Sequence, residues 1–376
     1  MSSEQKQSTS TGWGYQPELV LVHKNVLLLP MTQRILQALS SVPHKTVEGV
    51  DSFMQEARQS RQPYTQGKKT LYITEHQGRV LKPCQGMCGN VSCCLYYVVD
   101  FACNCPLDCS YCLLQSYLNN PLNQVYANTD AMLAELGEEL ERRRDRFFRV
   151  GTGELTDSLA LDRFTRLSQD LVEFFACRPN AILELKTKTI EINNLCNLNH
   201  QERTVVSWSL NTPRIIDGEE TGATTLEERL QAAKLCSDWG YPVGFHFDPL
   251  VFYPGWEKEY RETVEQLFDV MHGRKIVWIS MGAFRCPAGL LEILRERFPQ
   301  SRLPLGELVP GVDGKLRYFR PLRVELFRNM ASWIHERSPG QVMYLCMESP
   351  RVWEQVFGFR VSADDVARRL DAAIWP

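Results

Sequence analysis

The chain has no apolar run near the roughly 20 residues that a membrane-spanning helix needs. Its first residues, MSSEQKQSTSTGWG, lack the basic and then apolar order of a secretory signal peptide. Neither sign of charge prevails, because 42 Lys and Arg stand against 45 Asp and Glu, for a formal net charge of −3. We therefore expect a cytoplasmic protein without a membrane segment, in which any contact with nucleic acid depends on a local basic patch.

Cysteine is plentiful, with 13 in 376 residues. In a large chain without an export signal, such thiols are expected to be reduced or to bind metal. Cys105, Cys109 and Cys112 form a C-x3-C-x2-C pattern in the stretch CPLDCSYC. Three neighbouring thiolates can bind three irons of a cubane [4Fe-4S] cluster and leave the fourth iron without a protein ligand. Zinc is the alternative, but a zinc site usually includes a second cysteine pair at matching spacing.

Four further cysteines stand just ahead of the first predicted core strand: Cys84, Cys88, Cys93 and Cys94. Their density suggests a second metal site. Against that interpretation, Cys93 and Cys94 would point to opposite faces if they began a strand. The other interpretation is that these small apolar thiols simply pack in the interior.

Apolar, β-branched runs alternate with amphipathic helical stretches along most of the chain. The runs fall at about 94–102, 147–151, 181–187, 203–210, 242–250 and 275–283. Six βα units predict a parallel sheet, because each right-handed crossover returns the chain to the same edge. We expect an α/β fold with a partial (β/α)6 barrel, whose ligands lie at the carboxyl ends of the strands.

The predicted barrel leaves additions at both ends of the chain. The expected divisions are a disordered tail over 1–14, an N-terminal region over 15–90, the barrel over 91–300, and an α+β C-terminal hairpin and cap over 301–376. Asp313-Gly314 is a hairpin turn signal in the last part. The hairpin segment carries candidate contacts to phosphates and to a damaged base, namely Lys315, Arg317, Tyr318, Arg320 and Arg323. The alternative is that these residues form ion pairs with acidic helices of the cap.

Polar residues also follow the second, third and fourth predicted strands. Gly153 and Glu154 follow the second strand, where glycine lets the backbone approach a ligand and a carboxylate can bind an ammonium group. Lys188 and Ser209 lie at the ends of the next two strands, where they can bind a carboxylate and ribose hydroxyls. The simpler interpretation of such a lysine is a solvated surface charge.

These motifs together resemble the radical S-adenosylmethionine superfamily and, within it, the spore photoproduct lyase family. The likeness runs from about residue 94 to 300. It includes CSYCLLQ at 109–115, VYAN at 125–128, GYPVGF at 240–245, PGWEKEY at 254–260 and the spacing between Lys188 and Ser209. Several such blocks in order are much more specific than any one of them.

The resemblance implies a cluster on the three cysteines of the C-x3-C-x2-C pattern and S-adenosyl-L-methionine (SAM) as the second cofactor. It implies that cleavage of SAM yields a 5′-deoxyadenosyl radical, with Tyr111 beside the adenine. It further implies cofactor contacts from Gly153, Glu154, Lys188 and Ser209. An external one-electron reductant such as flavodoxin or ferredoxin, a monomeric state and DNA as a candidate partner are also expected.

Two departures from the family pattern concern hydrogen transfer. The lyase has a hydrogen-donating cysteine just after its second strand, whereas the matching residue here is Glu154. A tyrosine that follows the last cluster cysteine in the lyase is Leu113 here. Three functions stay open: a radical enzyme acting on a DNA lesion, the same radical chemistry on a small molecule or peptide, and a non-catalytic iron–sulfur or zinc protein.

Overall fold

The structure is a computed structural model that describes residues 14–59, 63–84 and 91–374. The tail predicted over 1–14, apart from Gly14, lies outside the described residues, and so does Cys88. Within the described part, no helix is both long enough and apolar enough to span a bilayer.

The strands are numbered in chain order. They are β1 (Leu19–His23), β2 (His44–Val47), β3 (Thr70–Thr74), β4 (Leu81–Pro83), β5 (Tyr97–Val99), β6 (Ala102–Cys103), β7 (Asp108–Cys109), β8 (Asn123–Tyr126), β9 (Phe148–Gly151), β10 (Ala181–Thr187), β11 (Thr204–Ser209), β12 (Glu220–Thr221), β13 (Val243–Leu250), β14 (Ile276–Ala283), β15 (Arg285–Cys286), β16 (Leu308–Pro310), β17 (Leu316–Tyr318) and β18 (Met343–Leu345).

The α-helices are numbered in the same way. They are α1 (Pro30–Ala38), α2 (Asp51–Gln59), α3 (Pro63–Gly67), α4 (Leu114–Tyr117), α5 (Thr129–Arg142), α6 (Asp162–Thr165), α7 (Leu167–Ala176), α8 (Pro213–Glu219), α9 (Leu226–Asp238), α10 (Trp256–Val270), α11 (Ala288–Arg297), α12 (Arg320–Arg337), α13 (Pro350–Phe357) and α14 (Ala363–Ile374).

The largest sheet has the order β4-β5-β9-β10-β11-β13-β14-β18. Strands β5, β9, β10, β11, β13 and β14 pair in parallel, which confirms the predicted six-stranded partial barrel. Every residue of β9 and β11 is buried, as expected for strands of a parallel sheet that is covered on both faces. All six strands therefore end at the same edge of the sheet.

The first barrel strand is shorter than predicted. It covers Tyr97–Val99 rather than 94–102, because Leu95 takes a positive φ of 53° and interrupts the extended backbone. Cys93 and Cys94 therefore precede the strand, and the alternation expected of two strand residues does not apply to them.

A second sheet has the order β2-β1-β3-β8-β6. Strands β1, β2 and β3 come from the N-terminal part of the chain, whereas β6 and β8 flank the three-cysteine segment on either side. Strand β3 pairs in parallel with β8, and β8 pairs in antiparallel with β6. The N-terminal sheet therefore supports both ends of the cysteine segment.

The C-terminal part contributes to two sheets. Strands β16 and β17 form the antiparallel hairpin predicted from Asp313-Gly314, and β15 pairs with β17 on its other side. Gly314 takes a φ of 74°, which explains glycine at this turn. Strand β18 lies in the part of the chain predicted to form the cap, and it joins the barrel sheet in parallel with β14.

Gly151 at the end of β9 offers a test of the packing. A Cβ at this position would lie 1.5 Å from the hydroxyl oxygen of Tyr96, whose ring is held by a hydrogen bond to Glu184. We expect Gly151→Ala to lower the free energy of unfolding by about 1–3 kcal/mol through overpacking. Urea denaturation of the purified protein measures this change.

The matched control is Gly289→Ala in α11. Nothing lies within 4 Å of a Cβ at this exposed position, so the alanine should stabilise the helix by about 0.5–1 kcal/mol. A loss of stability at Gly289 equal to that at Gly151 would contradict the packing described for Tyr96.

Candidate functional site

A cavity of about 270 Å³ lies at the carboxyl ends of the barrel strands. All eight residues predicted to bind the cluster or the cofactor line it: Cys105, Cys109, Tyr111, Cys112, Gly153, Glu154, Lys188 and Ser209. They come from four separate segments of the chain. The carboxyl-end rule for parallel barrels accounts for their meeting at one place.

The cysteine segment runs from β6 to α4 and turns sharply at Asn104. This residue has a φ of 66°, a conformation that asparagine tolerates better than most side chains. Its side-chain amide donates to the carbonyl of Pro121 at 2.8 Å, and its side-chain oxygen accepts from the backbone N–H of Cys105 at 2.9 Å. The first predicted ligand therefore sits in a fixed turn.

Burial governs the chemistry of the thiols. Cys105 and Cys109 are buried and Cys112 is half-buried. Burial raises the pKa of Cys105 to about 12 and raises that of Cys109 well above its ordinary value. Both groups therefore carry protons in the metal-free protein, and metal binding has to displace them.

Within residues 14–59, 63–84 and 91–374, no group of three or more His, Cys, Asp and Glu side chains is arranged to hold a single metal ion. One tetrahedral ion requires thiolate sulfurs about 3.8 Å apart, from a zinc–sulfur distance of about 2.3 Å. A cubane cluster needs a wider spacing, because each thiolate binds a different iron.

The second group of cysteines is only partly described, since Cys88 lies outside the described residues. A hydrogen bond with the Cys94 thiol lowers the pKa of Cys93, so these neighbouring side chains face each other rather than point apart. Cys84 and Cys346 lie near enough to influence Cys93 as well. The second metal site stays a prediction.

Lys188 is held by a buried carboxylate that the sequence did not reveal. Its Nζ lies 2.8 Å from Oε1 of Glu220 and 3.0 Å from the hydroxyl of Tyr111, which also donates to Glu220. Arg229 donates to Oε2 of Glu220 at 2.6 Å and to the carbonyl of Ser209 at 2.9 Å. Two cations thus share one carboxylate, which leaves a net positive charge beside the cavity.

Asp157 fixes the backbone of the same region. Its carboxylate accepts from the N–H of Lys188 at 2.7 Å and from the hydroxyl of Thr187 at 2.8 Å. Two further backbone N–H groups, of Leu159 and Ala160, donate to it. Burial nevertheless outweighs these hydrogen bonds and raises the pKa of Asp157.

An ion pair forms another part of the cavity wall. Both carboxylate oxygens of Asp248 lie 3.1 Å from the guanidinium of Arg285. A Cβ on Gly282 would lie 2.6 Å from this carboxyl group, so glycine is required beside it. Asp248 lies in β13 near its carboxyl end. The rule that ligands bind at the carboxyl ends of parallel barrel strands, which identified Lys188 and Ser209, therefore also applies to Asp248. No comparable pattern in the sequence indicated that Arg285 belongs to the site.

Two of the arginines proposed to contact a substrate are buried and already paired with carboxylates. Arg317 is buried and lies 2.6 Å from Asp313, and buried Arg323 lies 2.7 Å from Glu348. These guanidiniums are engaged in ion pairs, as the alternative interpretation held, although the acidic partners belong to the hairpin and to the segment after β18. Tyr318 is also buried, and it lines a separate cavity of about 440 Å³.

Lys315 and Arg320 are half-buried, and for them a role in substrate binding stays a prediction.

The arrangement of the whole site, with thiols and charged groups at the carboxyl ends of a parallel partial barrel, is that of a radical SAM enzyme. Residues 15–312 match the family model described as spore photoproduct lyase. The chain belongs to that family, which confirms the resemblance seen in the sequence.

Curated relatives agree with this assignment. A spore photoproduct lyase of a Geobacillus species is 25% identical over 348 residues, covering 88% of this chain and 98% of the relative. The lyase of Bacillus subtilis is 25% identical over 307 residues, covering 78% and 85%. That of Clostridium acetobutylicum is 24% identical over 247 residues, covering 65% and 71%.

Solved structures show the same fold. A spore photoproduct lyase complexed with dinucleoside spore photoproduct matches with a TM-score of 0.78 and 22% identity, over 88% of this chain and 99% of the other. A lyase variant with bound AdoMet and the same dinucleoside matches with a TM-score of 0.77, again at 22% identity and the same coverage. The partial-barrel fold predicted from the sequence is thereby confirmed.

Acidification tests the buried carboxylate at the centre of the site. Burial alone would raise the pKa of Glu220, but Arg229 and Lys188 lower it from 4.5 to about 2. A depressed folded-state pKa stabilises the protein above about pH 4.5, and this stabilisation is lost as the pH falls towards 2. The contribution is on the order of 3 kcal/mol. We expect the free energy of unfolding in urea to fall over this pH range, and to fall less in Glu220→Gln.

The control for this measurement is Glu257→Gln, at an exposed glutamate in the first turn of α10. It should leave the acid dependence as in the unaltered protein. An acid dependence that is identical in Glu220→Gln and in the unaltered protein would show that the ion pairs of Glu220 do not stabilise the fold.

Proposed function

We propose that Cys105, Cys109 and Cys112 hold a [4Fe-4S] cluster and that SAM binds beside it in the same cavity. Support comes from the cavity wall, where three soft thiols and the predicted strand-end residues meet although they are far apart in sequence. When bound, the cluster supplies the electron that cleaves the C–S bond of SAM and yields a 5′-deoxyadenosyl radical. An external one-electron reductant, such as flavodoxin or ferredoxin, would supply that electron.

The protein's own part is to bind and orient SAM. The net positive charge of Lys188 and Arg229 around Glu220 attracts the cofactor's carboxylate. The carboxylate of Glu154, on the same cavity wall, can accept hydrogen bonds from its ammonium group. Gly153 allows close approach, since even a Cβ there would meet the hydroxyl of Ser158 at 3.1 Å. Tyr111 and Ser209 would complete the contacts.

Apolar side chains on the cavity wall limit the access of water. Leu107, Leu113, Leu114 and Phe284 all line it. A radical needs an environment without unwanted hydrogen donors, and a binding protein provides this by excluding solvent. The apolar part of the wall fits that requirement.

For the substrate we propose a nucleic-acid lesion, because the solved relatives bind dinucleoside spore photoproduct. Lys315 and Arg320 of the hairpin segment would then contact phosphates. A specific observation favours a second candidate, a small molecule or peptide: the guanidinium of Arg317 is already paired. The family resemblance also implies that Glu154 stands where the lyase has its hydrogen donor. We expect the native substrate to differ from the thymine adduct of the lyase.

The three thiols are tested by Cys105→Ala, Cys109→Ala and Cys112→Ala. Each substitution removes one proposed cluster ligand, so formation of 5′-deoxyadenosine should fall to the background level. The measurement is chromatography of SAM reaction products after anaerobic reconstitution with iron and sulfide. Cys177→Ala, at an exposed cysteine, is the matched control and should keep full activity. Full iron content and SAM cleavage in any of the three variants would refute the ligand assignment.

The substrate proposal is tested with the thymine adduct and the variant Glu154→Cys. Without a thiol at this position, we expect the unaltered enzyme to repair the adduct slowly and with side products from the unquenched product radical. Although the variant loses the proposed contact of Glu154 to SAM, it should give a larger share of clean thymine product for each SAM cleaved. Mass spectrometry of the dinucleotide products measures both.

Glu257→Cys introduces a thiol at an exposed site of α10 and controls for thiol chemistry in solution. Efficient and clean repair by the unaltered protein would contradict the expectation that its native substrate differs from this lesion. Clean repair by Glu154→Cys alone would support it.

A further inference from the structure

A second group of buried charges surrounds the cysteine segment on the side of the N-terminal region. Asp108 lies between Cys105 and Cys109 in sequence, and two cations bind its carboxylate. Lys68, just after α3, lies 2.9 Å from Oδ1 of Asp108, and Arg297, the last residue of α11, lies 2.8 Å from Oδ2. The three residues come from three distant parts of the chain.

Burial makes this group different from a surface salt bridge. The side chains of Lys68 and Arg297 are each 8% exposed, and that of Asp108 is 18% exposed. Two cations and one carboxylate leave one net positive charge. In a poorly hydrated environment this charge is weakly screened and acts on its surroundings over several ångströms.

The same cations also hold the backbone of the cysteine segment. Lys68 donates to the carbonyl of Leu107, which lines the cavity. Arg297 donates to the side-chain oxygen of Gln115, and the amide of Gln115 donates to the carbonyls of Cys109 at 3.1 Å and Ser110 at 2.8 Å. Contacts therefore reach the segment before and after the second cysteine.

We propose that Lys68, Arg297 and Asp108 form a clamp that positions the cysteine segment and raises the reduction potential of the cluster that it holds. This proposal rests on the proposed function, since it presumes a cluster on these thiols. Reduction adds one negative charge to a cluster, and a nearby net positive charge favours the reduced state. None of the three residues touches the reacting atoms, so they act as positioning residues.

The test is an anaerobic redox titration of reconstituted protein, followed by the electron paramagnetic resonance signal of the reduced cluster. Lys68→Met removes a charge and should lower the ratio of reduced to oxidised cluster at a fixed potential on the order of tenfold, or about 59 mV for one electron. Asp108→Asn removes the opposite charge and should shift the potential upward. If these substitutions only loosened the structure, they would not shift the reduction potential in opposite directions.

Two controls are available. Lys68→Arg keeps the charge and should keep the potential of the unaltered protein. Lys69→Met removes the neighbouring lysine, which is exposed and pairs with Glu18 at 3.0 Å, and it should have no effect. If Lys68→Met loses the cluster while Lys68→Arg retains it, the positioning role is supported, and Arg297→Gln then measures the charge effect instead.

An unchanged potential in Lys68→Met with full iron content would overturn the proposal. Loss of the cluster in both Lys68→Met and Lys68→Arg, with unfolding temperatures as in the unaltered protein, would overturn it as well, because charge would then not be the cause. Failure of the unaltered protein to acquire a cluster or to cleave SAM would refute the proposed function itself. The two failures are therefore distinguishable.

Discussion

The geometry of the site depends on the buried carboxylate of Glu220. It binds Lys188 at the end of β10, Arg229 of α9 and Tyr111 of the cysteine segment. The backbone of Glu220 also pairs with Cys109 through the short strands β7 and β12. One residue thus joins the predicted cluster ligands to the strand ends, and the two cations keep it ionised despite its burial.

The charges that surround the cysteine segment follow one pattern. Glu220 on one side and Asp108 on the other are each bound by two cations, and both groups are buried. Such arrangements are costly to bury and lose much stability when one partner is removed. Each group leaves a net positive charge beside the thiols, and such a charge would favour the anionic cluster proposed to bind there.

Local patterns predicted the barrel and much of the cavity wall, because strand periodicity and the meeting of parallel strand ends follow from sequence-local features. Lys188 and Ser209 were found in this way. Glu220 and Arg229 were not, since a two-residue strand has no periodicity and their pairing is known only from the fold. The same limit explains why the burial of Arg317 and Arg323 was not predicted. Their charge is evident in the sequence, whereas their burial depends on contacts with Asp313 and Glu348.

Reductive cleavage of SAM in this cavity underlies every role proposed for the residues of the site. The most direct measurement is the formation of 5′-deoxyadenosine by the unaltered protein, reconstituted anaerobically with iron and sulfide and supplied with SAM and a strong one-electron reductant. We expect absorption near 400 nm, four irons per chain and 5′-deoxyadenosine that accumulates only when reductant is present. Protein that binds four irons per chain but gives no 5′-deoxyadenosine, with or without candidate substrates, would contradict the proposed cleavage.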